Sequence, residues 1–133
     1  MNGRKTDIAI VGGGLAGGLI ALAVHRARPD LAITLLESGE AIGGNHRWSW
    51  FGSDLPPGGE ALLAGFRTTR WDQGHAVRFP GFARRLALPY RSLASADFAA
   101  GLRRELPEGA LRTRAEAARI DARGVTLASG EDI

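Results

Sequence analysis

The chain opens with two short apolar runs separated by a longer stretch of helical character. The runs are DIAIV, Asp7 to Val11, and LAITLL, Leu31 to Leu36. Neither run alternates polar with apolar residues, which is typical of parallel strands buried on both faces. Between them, GGGLAGGLIALAVHRARPD predicts a helix that Pro29 ends. This order predicts a β-α-β unit at the start of an α/β fold.

Turn residues interrupt the segment that follows. Pro56 to Gly59 breaks the stretch between Phe51 and Thr69, and the apolar residues after the break suit one short connecting helix. Those apolar residues are Leu62, Leu63 and Phe66.

The sequence HAVRFPGFARRLALPY predicts a β-hairpin around a Pro80-Gly81 turn. Val77 and Phe79 alternate in its first strand. The apolar positions of its second strand are Leu86, Leu88 and Tyr90.

The last forty residues predict a helix and a small sheet. SADFAAGLRRELPEG has Ser95 as a suitable N-cap, and Pro107 with Gly109 to end the helix. Its apolar positions, at helical spacing, are Phe98, Leu102 and Leu106. We expect this helix to pack on the parallel sheet. The remainder predicts a three-stranded meander with turns at 122–124 and 129–130.

Composition narrows the chemistry. The length of 133 residues suits one domain, and 19 glycines are about twice the usual share. The absence of cysteine excludes disulfides, thiolate catalysis and cysteine-ligated metals. The histidines lack the spacing of a metal site, so we expect no metal. These residues are His25, His46 and His75.

The net charge of +3 comes from arginines scattered in ones and twos. No block has the density of a nucleic-acid-binding stripe, so we expect no nucleic-acid partner. The longest apolar run, Leu15 to Val24, is shorter than the ~20 residues that cross a bilayer. The N-terminus reaches its first motif too soon for a secretory leader. We expect a cytoplasmic protein, with peripheral attachment to the cytosolic face of a membrane as an alternative.

A glycine motif stands where the first predicted strand meets the helix. Gly12, Gly14 and Gly17 fit G-x-G-x-x-G, with Leu15 and Ala16 as the intervening residues. In this position the first glycine permits a tight turn, the second lets backbone approach a diphosphate, and the third lets helix and strand pack closely. The motif predicts a Rossmann-like FAD/NAD(P)-binding fold, with the diphosphate at the helix N-terminus.

An acidic residue follows the second strand at the expected distance. Glu37 lies twenty residues after Gly17, where a carboxylate can accept hydrogen bonds from the ribose hydroxyls of an adenine nucleotide. Ser38 follows it in the same predicted site. The charge of Glu37 would repel a 2′-phosphate, which disfavours NADP as the nucleotide bound here.

The stretch IGGNHRWSW separates two cofactors. A glycine pair at Gly43 and Gly44, rather than a crossover helix, favours FAD over NAD because side-chain-free backbone can pass close to the cofactor. The residues that would follow near the flavin are Asn45, His46, Trp48 and Trp50. An ordinary loop histidine and tryptophans packed in a core are the alternatives.

Several segments together resemble the N-terminal part of bacterial lycopene beta-cyclase. They are DIAIVGGGLAGGLIAL, LLESGEAIGGNHRWSWF, VRFPGFARRLALPYRSL and ADFAAGLRREL. GGNHRWSW followed some thirty residues later by VRFP carries this resemblance. It implies conversion of lycopene through gamma-carotene to beta-carotene by non-redox, acid-catalysed ring closure with reduced FAD. NAD(P)H is then a candidate electron donor.

The resemblance also implies a division of the chain. Residues 1–70 would hold the FAD-binding β-α-β unit and a connector. Residues 71–94 would form a hairpin of a substrate-facing sheet. The candidate substrate contacts are Trp48 and Trp50, which precede this hairpin, and Arg78 within it. Residues 95–133 would return to the FAD-binding domain with a helix and a meander.

The resemblance further implies that the chain is an N-terminal portion, inactive by itself, whose general acid lies beyond Ile133. Two alternatives remain open. One is a monooxygenase or other oxidoreductase that uses FAD and NAD(P)H. The other is a non-catalytic nucleotide-binding fragment.

Overall fold

The computed structural model describes residues 5–133. The prediction of no secretory leader concerns the N-terminus, whose first four residues lie outside the described residues. In chain order the elements are β1 (Ile8–Val11), α1 (Leu15–Ala27), β2 (Ile33–Leu36), β3 (Arg47–Phe51), a 3-10 helix (Gly52–Asp54), α2 (Gly59–Leu63), β4 (Thr69–Trp71), β5 (His75–Phe79), β6 (Phe82–Leu86), β7 (Tyr90–Ala94), α3 (Ser95–Glu105), β8 (Leu111–Arg112), β9 (Ala117–Asp121) and β10 (Gly124–Leu127).

The opening β-α-β unit is confirmed. β1 pairs in parallel with β2, and β2 pairs in parallel with the short strand β8, which the apolar pattern did not predict. The order β1-β2-β8 makes β2 the central strand, and all four of its residues are buried. The prediction that β1 is also buried on both faces is wrong: it is an edge strand in the described residues, and Val11 is 45% exposed.

Two apolar layers cover the faces of β2. Ile33 and Leu35 belong to a core with residues of α1 and α3, whereas Leu36 belongs to a second cluster with residues of the β10 strand. This alternation is the period of two that a strand imposes on its side chains. α1 and α3 approach closely at Gly18, where a Cβ atom would lie 2.7 Å from the Cδ1 atom of Leu102.

A three-stranded antiparallel sheet, ordered β3-β7-β4, forms the next layer. The apolar pattern did not predict these strands. The second strand of the predicted hairpin ends at Leu86, so its extension to Leu88 and Tyr90 is wrong: Tyr90 begins β7, where it pairs with Phe51. Pro89 separates the two strands, and proline, having no N–H, cannot donate to a ladder.

The hairpin of β5 and β6 is confirmed around Pro80-Gly81, with Phe79 directly paired to Phe82. These strands form a two-stranded sheet of their own. The sheet β3-β7-β4 draws residues from both sides of position 70, and the division into 1–70, 71–94 and 95–133 stays a prediction.

The end of the chain departs slightly from its predicted form. β9 and β10 pair as predicted, but the third strand of the meander is only a bridge between Thr126 and Asp132. Ser95 is the first residue of α3 rather than its N-cap, which is Ala94. The Ser95 hydroxyl instead accepts the backbone N–H of His46, at 3.4 Å, and so ties the helix to the start of β3.

Candidate functional site

The glycine motif closes the turn between β1 and α1. Gly12 has a φ of 105° and its N–H donates to the Leu36 carbonyl at 2.8 Å. A Cβ atom on Gly17 would collide with the Gly12 carbonyl oxygen and lie 3.3 Å from Leu35 Cδ1. The first and third glycines of the motif are therefore required by the fold itself.

Gly14 differs from both. It is the N-cap of α1 with a φ of −75°, which alanine adopts without strain, and a Cβ atom built on it meets nothing within 4 Å. Neither backbone conformation nor packing within the described residues therefore requires glycine here. The open space beside Gly14 is the side from which a ligand can approach the backbone.

The first turn of α1 faces this space without a capping side chain. α1 has no side-chain N-cap hydrogen bond and no acidic residue in its first turn. The N–H groups of a first helical turn have no acceptor within the helix, and the helix dipole makes this end electropositive. Leu15 is half-buried, whereas Ala16 is exposed. The arrangement suits an anionic group.

Glu37 lies beside the glycine loop, as the sequence predicts. One carboxylate oxygen accepts the Gly13 N–H at 2.9 Å, and the other accepts the Gly39 N–H at 2.7 Å. The Ser38 hydroxyl lies 3.4 Å from the second oxygen. A carboxylate oxygen has two acceptor sites, so the oxygen bound by Gly13 keeps capacity for a ribose-type hydroxyl group, whereas the other accepts from both Gly39 and Ser38.

The second glycine pair joins the first motif. The Gly43 N–H donates to the Gly13 carbonyl at 2.7 Å, and both Gly43 and Gly44 have positive φ, 80° and 59°. A Cβ atom on Gly43 would lie 3.2 Å from Ser95 Cβ and 3.2 Å from Trp48 Cη2. The two motifs that the sequence singles out therefore meet at one end of the parallel sheet.

The residues after the pair divide between solvent and core. Asn45 and His46 are exposed. Trp48 contacts Phe98 edge to face, with ring centroids 5.3 Å apart, and Trp50 packs against the same core. Packing accounts for both indoles, and their contact with a substrate stays a prediction.

Arg78 lies apart from this assembly. It is an exposed residue of β5, paired with Ala83 across the hairpin. In residues 5–133, no hydrogen bond that we find links it to the glycine loops, and its role as a substrate contact stays a prediction.

Three contributors to the site escaped the sequence interpretation. Gly13 is buried, and a Cβ atom there would lie 2.8 Å from Glu37 Cβ and 2.9 Å from Ile42 Cδ1. Arg114, which follows β8, donates to the Glu40 carboxylate at 2.8 Å and thus reaches the turn after Glu37. The apolar Ile42 among polar neighbours signals burial, but nothing local indicates Arg114.

A groove of about 860 Å³ lies at the opposite edge of the sheet. It is bordered by the segments that precede β1, β2 and β8, including Thr6, Leu31 and Ala110. Ligands of open α/β sheets bind outside the carboxyl ends of the strands, not the amino ends. Position in the fold therefore favours the glycine loops over this groove as a ligand site.

Residues 5–133 offer neither a metal-binding cluster nor a helix that could span a membrane. No cluster of three or more histidine, aspartate or glutamate side chains in that range could hold a metal ion. Over the same range, no helix combines the length and apolar character needed to cross a bilayer.

Comparison with known proteins gives consistent matches along the chain. The family model described as "Lycopene cyclase protein" matches residues 7–133. The lycopene beta-cyclase of Pseudescherichia vulneris is 42% identical over 125 residues, which are 94% of this chain and 32% of that protein. The lycopene beta-cyclase of Paracoccus sp. (strain N81106 / MBIC 01143) is 42% identical over 96% of this chain and 32% of its own length. The chain thus spans about a third of the length of the curated relatives it matches.

Solved structures share the fold at low identity. A peptidyl tryptophan dihydroxylase, QhpG, superimposes with a TM-score of 0.59 at 17% identity, over 98% of this chain and 30% of that one. A putative FAD containing monooxygenase from Photorhabdus luminescens subsp. laumondii gives a TM-score of 0.51 at 18% identity, over 95% of this chain and 36% of that one. At such identities the likeness shows the fold alone.

Proposed function

Since the chain belongs to the lycopene cyclase family, we propose that the full-length protein is a lycopene beta-cyclase and that these residues form part of its FAD site. The substrate would be lycopene, a linear polyene, converted through gamma-carotene to beta-carotene. The reaction is an isomerisation: a terminal double bond gains a proton, the ring closes, and a proton leaves.

The geometry beside Gly14 is the observation that carries the cofactor proposal. Glycine stands where the protein's own backbone and packing accept alanine, at a helix N-terminus that lacks a capping side chain. A diphosphate fits this place because it needs close approach to backbone N–H groups. The residues proposed to hold FAD are Gly12, Gly14, Leu15, Ala16, Gly17, Glu37, Ser38, Gly43, Gly44, Asn45 and His46.

Each part of the cofactor has a proposed partner. The first-turn N–H groups of α1 would bind the diphosphate, and the free acceptor site of Glu37 would take a ribose hydroxyl. Bound in its reduced form, with NAD(P)H as a candidate electron source, FAD would supply electron density near a cationic centre. We propose that the general acid belongs to the two thirds of the protein beyond these residues.

The core beside the second glycine pair suits such chemistry. Trp48 and Trp50 pack against the helical core. A carbocation requires a site from which water is excluded. We therefore propose that the core around these two tryptophans helps to exclude water from the cofactor site. Direct contact of either indole with the polyene is a further part of the proposal.

The location of the substrate bears on the location of the enzyme. A polyene such as lycopene dissolves in lipid and not in water. We therefore propose that the protein works in the cytoplasm at the surface of a membrane, as a peripheral protein.

The fold alone does not separate a cyclase from an oxygenase, since one structural neighbour carries the name of a monooxygenase. The sequence matches favour the cyclase, because both cyclases compared cover more than nine tenths of this chain. Oxygen uptake with NADPH, measured on the full-length protein, would favour the oxygenase.

Expression of the full-length gene in cells that accumulate lycopene tests the proposal. We expect red lycopene to be replaced by a yellow-orange pigment of the same mass with two closed rings, identified by chromatography and mass spectrometry. Cells with an empty vector are the control. Unchanged lycopene in cells that contain soluble, flavin-loaded protein would contradict the proposed activity.

A further inference from the structure

The tip of the β5–β6 hairpin presents two aromatic side chains to solvent. Phe79 is 64% exposed and Phe82 is 58% exposed, on either side of Pro80-Gly81. The two residues are directly paired across the ladder, so their side chains project on the same face and lie next to each other. An exposed pair of phenylalanines at a hairpin tip is a feature that burial in a core does not explain.

Arginines surround this tip. Arg78, Arg84 and Arg85 are all exposed, and none forms an ion pair in the part of the chain that the structure describes. The register places Arg84 on the face of the phenylalanines, opposite Val77, and puts Arg78 and Arg85 on the other face. Two residues of strand separate Arg84 from Phe82, about 7 Å. The three arginines therefore lie on both faces of the hairpin, next to its aromatic tip.

No acidic residue lies near these three arginines along the chain. The sequence contains no aspartate or glutamate from residue 73 to residue 96. The nearest acid along the chain, Asp72, pairs with Arg91 at 2.7 Å. The hairpin thus keeps a net positive charge next to its apolar tip.

The β9–β10 hairpin shows what an ordinary exposed hairpin looks like in this protein. Ile120 is 64% exposed, as much as Phe79, but it stands alone. Its neighbour Arg119 is paired with Asp121 at 3.2 Å. The turn of this hairpin also holds Arg123, which is exposed. The β9–β10 hairpin therefore has one large exposed apolar side chain and one arginine outside any ion pair in the described residues, against two phenylalanines and three such arginines in the β5–β6 hairpin.

We propose that the β5–β6 hairpin is a membrane-contact element that binds anionic phospholipid. Phe79 and Phe82 enter the boundary between headgroups and acyl chains, while Arg78, Arg84 and Arg85 bind lipid phosphates. Interfacial elements bury their apolar side about 5–10 Å deep, which matches the spacing along the strand between Phe82 and Arg84. An anionic bilayer meets both requirements with one surface: apolar volume for the rings and negative charge for the guanidinium groups. This inference rests on the membrane location in the proposed function. Vesicle binding is measured without lycopene, so its result does not depend on cyclase activity.

Sedimentation of the full-length protein with lipid vesicles tests the proposal. One set contains phosphatidylcholine alone and the other contains phosphatidylcholine with phosphatidylglycerol. We expect tighter binding to the second set, weakened by added salt because the attraction is partly electrostatic. Replacing both rings, Phe79→Ser with Phe82→Ser, should weaken binding roughly a hundredfold, about tenfold for each ring.

The charge variant separates the two contributions. Arg78→Gln, Arg84→Gln and Arg85→Gln together should remove the preference for phosphatidylglycerol, about fivefold for each arginine, and leave the weaker binding to phosphatidylcholine. Ile120→Ser is the matched control, with equal exposure on the other hairpin, and should bind like the parent protein.

Two outcomes would overturn the proposal. One is a parent protein that does not sediment with either set of vesicles. The other is unchanged binding in the double serine variant. A lowered melting temperature of that variant would add that another part of the protein covers the phenylalanines. A protein that binds through the hairpin but leaves lycopene unchanged would refute only the proposed cyclase activity.

Discussion

The glycine loops and the antiparallel region are constructed on opposite principles. Between Gly12 and Gly44, backbone atoms contact one another, and several positions have no room for a side chain. Between Arg47 and Ala94, side chains pack in pairs across neighbouring strands, such as Phe51 beside Tyr90 with ring centroids 5.0 Å apart. The first region exposes backbone at the surface where we propose that FAD binds, whereas the second is stabilised by aromatic packing.

Phe98 connects these two regions, so its replacement should have the largest effect. Its ring is fully buried and lies 5.3 Å from the Trp48 ring and 5.1 Å from the Phe66 ring. Phe98→Ala removes these contacts and leaves a cavity, which should lower the free energy of unfolding by about 3–5 kcal/mol. Chemical denaturation measures the change. The control, Phe79→Ala at the exposed tip, should change it by less than about 0.5 kcal/mol; equal effects would contradict this description of the core.

Two glycines of one motif should separate folding from binding. Gly17→Ala forces a methyl group into the Gly12 carbonyl and should destabilise the fold by about 1–3 kcal/mol. Gly14→Ala has open space and a compatible φ, so its melting temperature should stay close to that of the parent while bound FAD is lost. Thermal melting and the flavin absorbance of the full-length protein measure the two effects. Full flavin content in Gly14→Ala would count against a diphosphate at this loop.

Replacing Glu37 tests whether this residue binds the ribose of FAD, as we propose. Glu37→Gln removes the charge while retaining one acceptor oxygen, and should weaken FAD binding by about 1–3 kcal/mol. Titration of the apoprotein with FAD measures it. Glu40→Gln is the control, because Glu40 lies three residues away and pairs with Arg114 at an exposed position. If both variants bind FAD as the parent does, the assignment of Glu37 is wrong.

The smallest effect concerns an ion pair between β8 and the end of the chain. Hydrogen bonds of 2.8 and 2.6 Å from the Arg112 guanidinium lower the pKa of Glu131 from its ordinary value of 4.5. A carboxyl whose pKa is lowered by folding stabilises the folded state above its unfolded pKa, and this contribution is lost as pH falls through the folded pKa.

The pH dependence of the melting temperature measures this contribution. The parent protein should melt slightly higher than Glu131→Gln near neutral pH, and the difference should shrink as pH falls below 4.5. A difference that is constant with pH would show that the pair has another role.

The two regions also differ in how far the sequence anticipates them. Gly12, Gly17 and Glu37 occur at a spacing that follows from backbone geometry, and the structure brings them together as expected. β3, β4 and β7 are three to five residues long, and no local pattern identifies them. The aromatic residues of β3 were as consistent with a ligand site as with a packed strand.

The sequence alone determined the β-α-β start and the position of Glu37 at the end of the second strand, because strand, turn and helix there depend on residues close together in the chain. Only tertiary structure decided that β8 joins the parallel sheet, that Trp48 faces Phe98, and that Arg114 reaches Glu40. The physical reason is separation: these contacts join residues that lie far apart in the chain, and packing selects them from many alternatives of similar local preference.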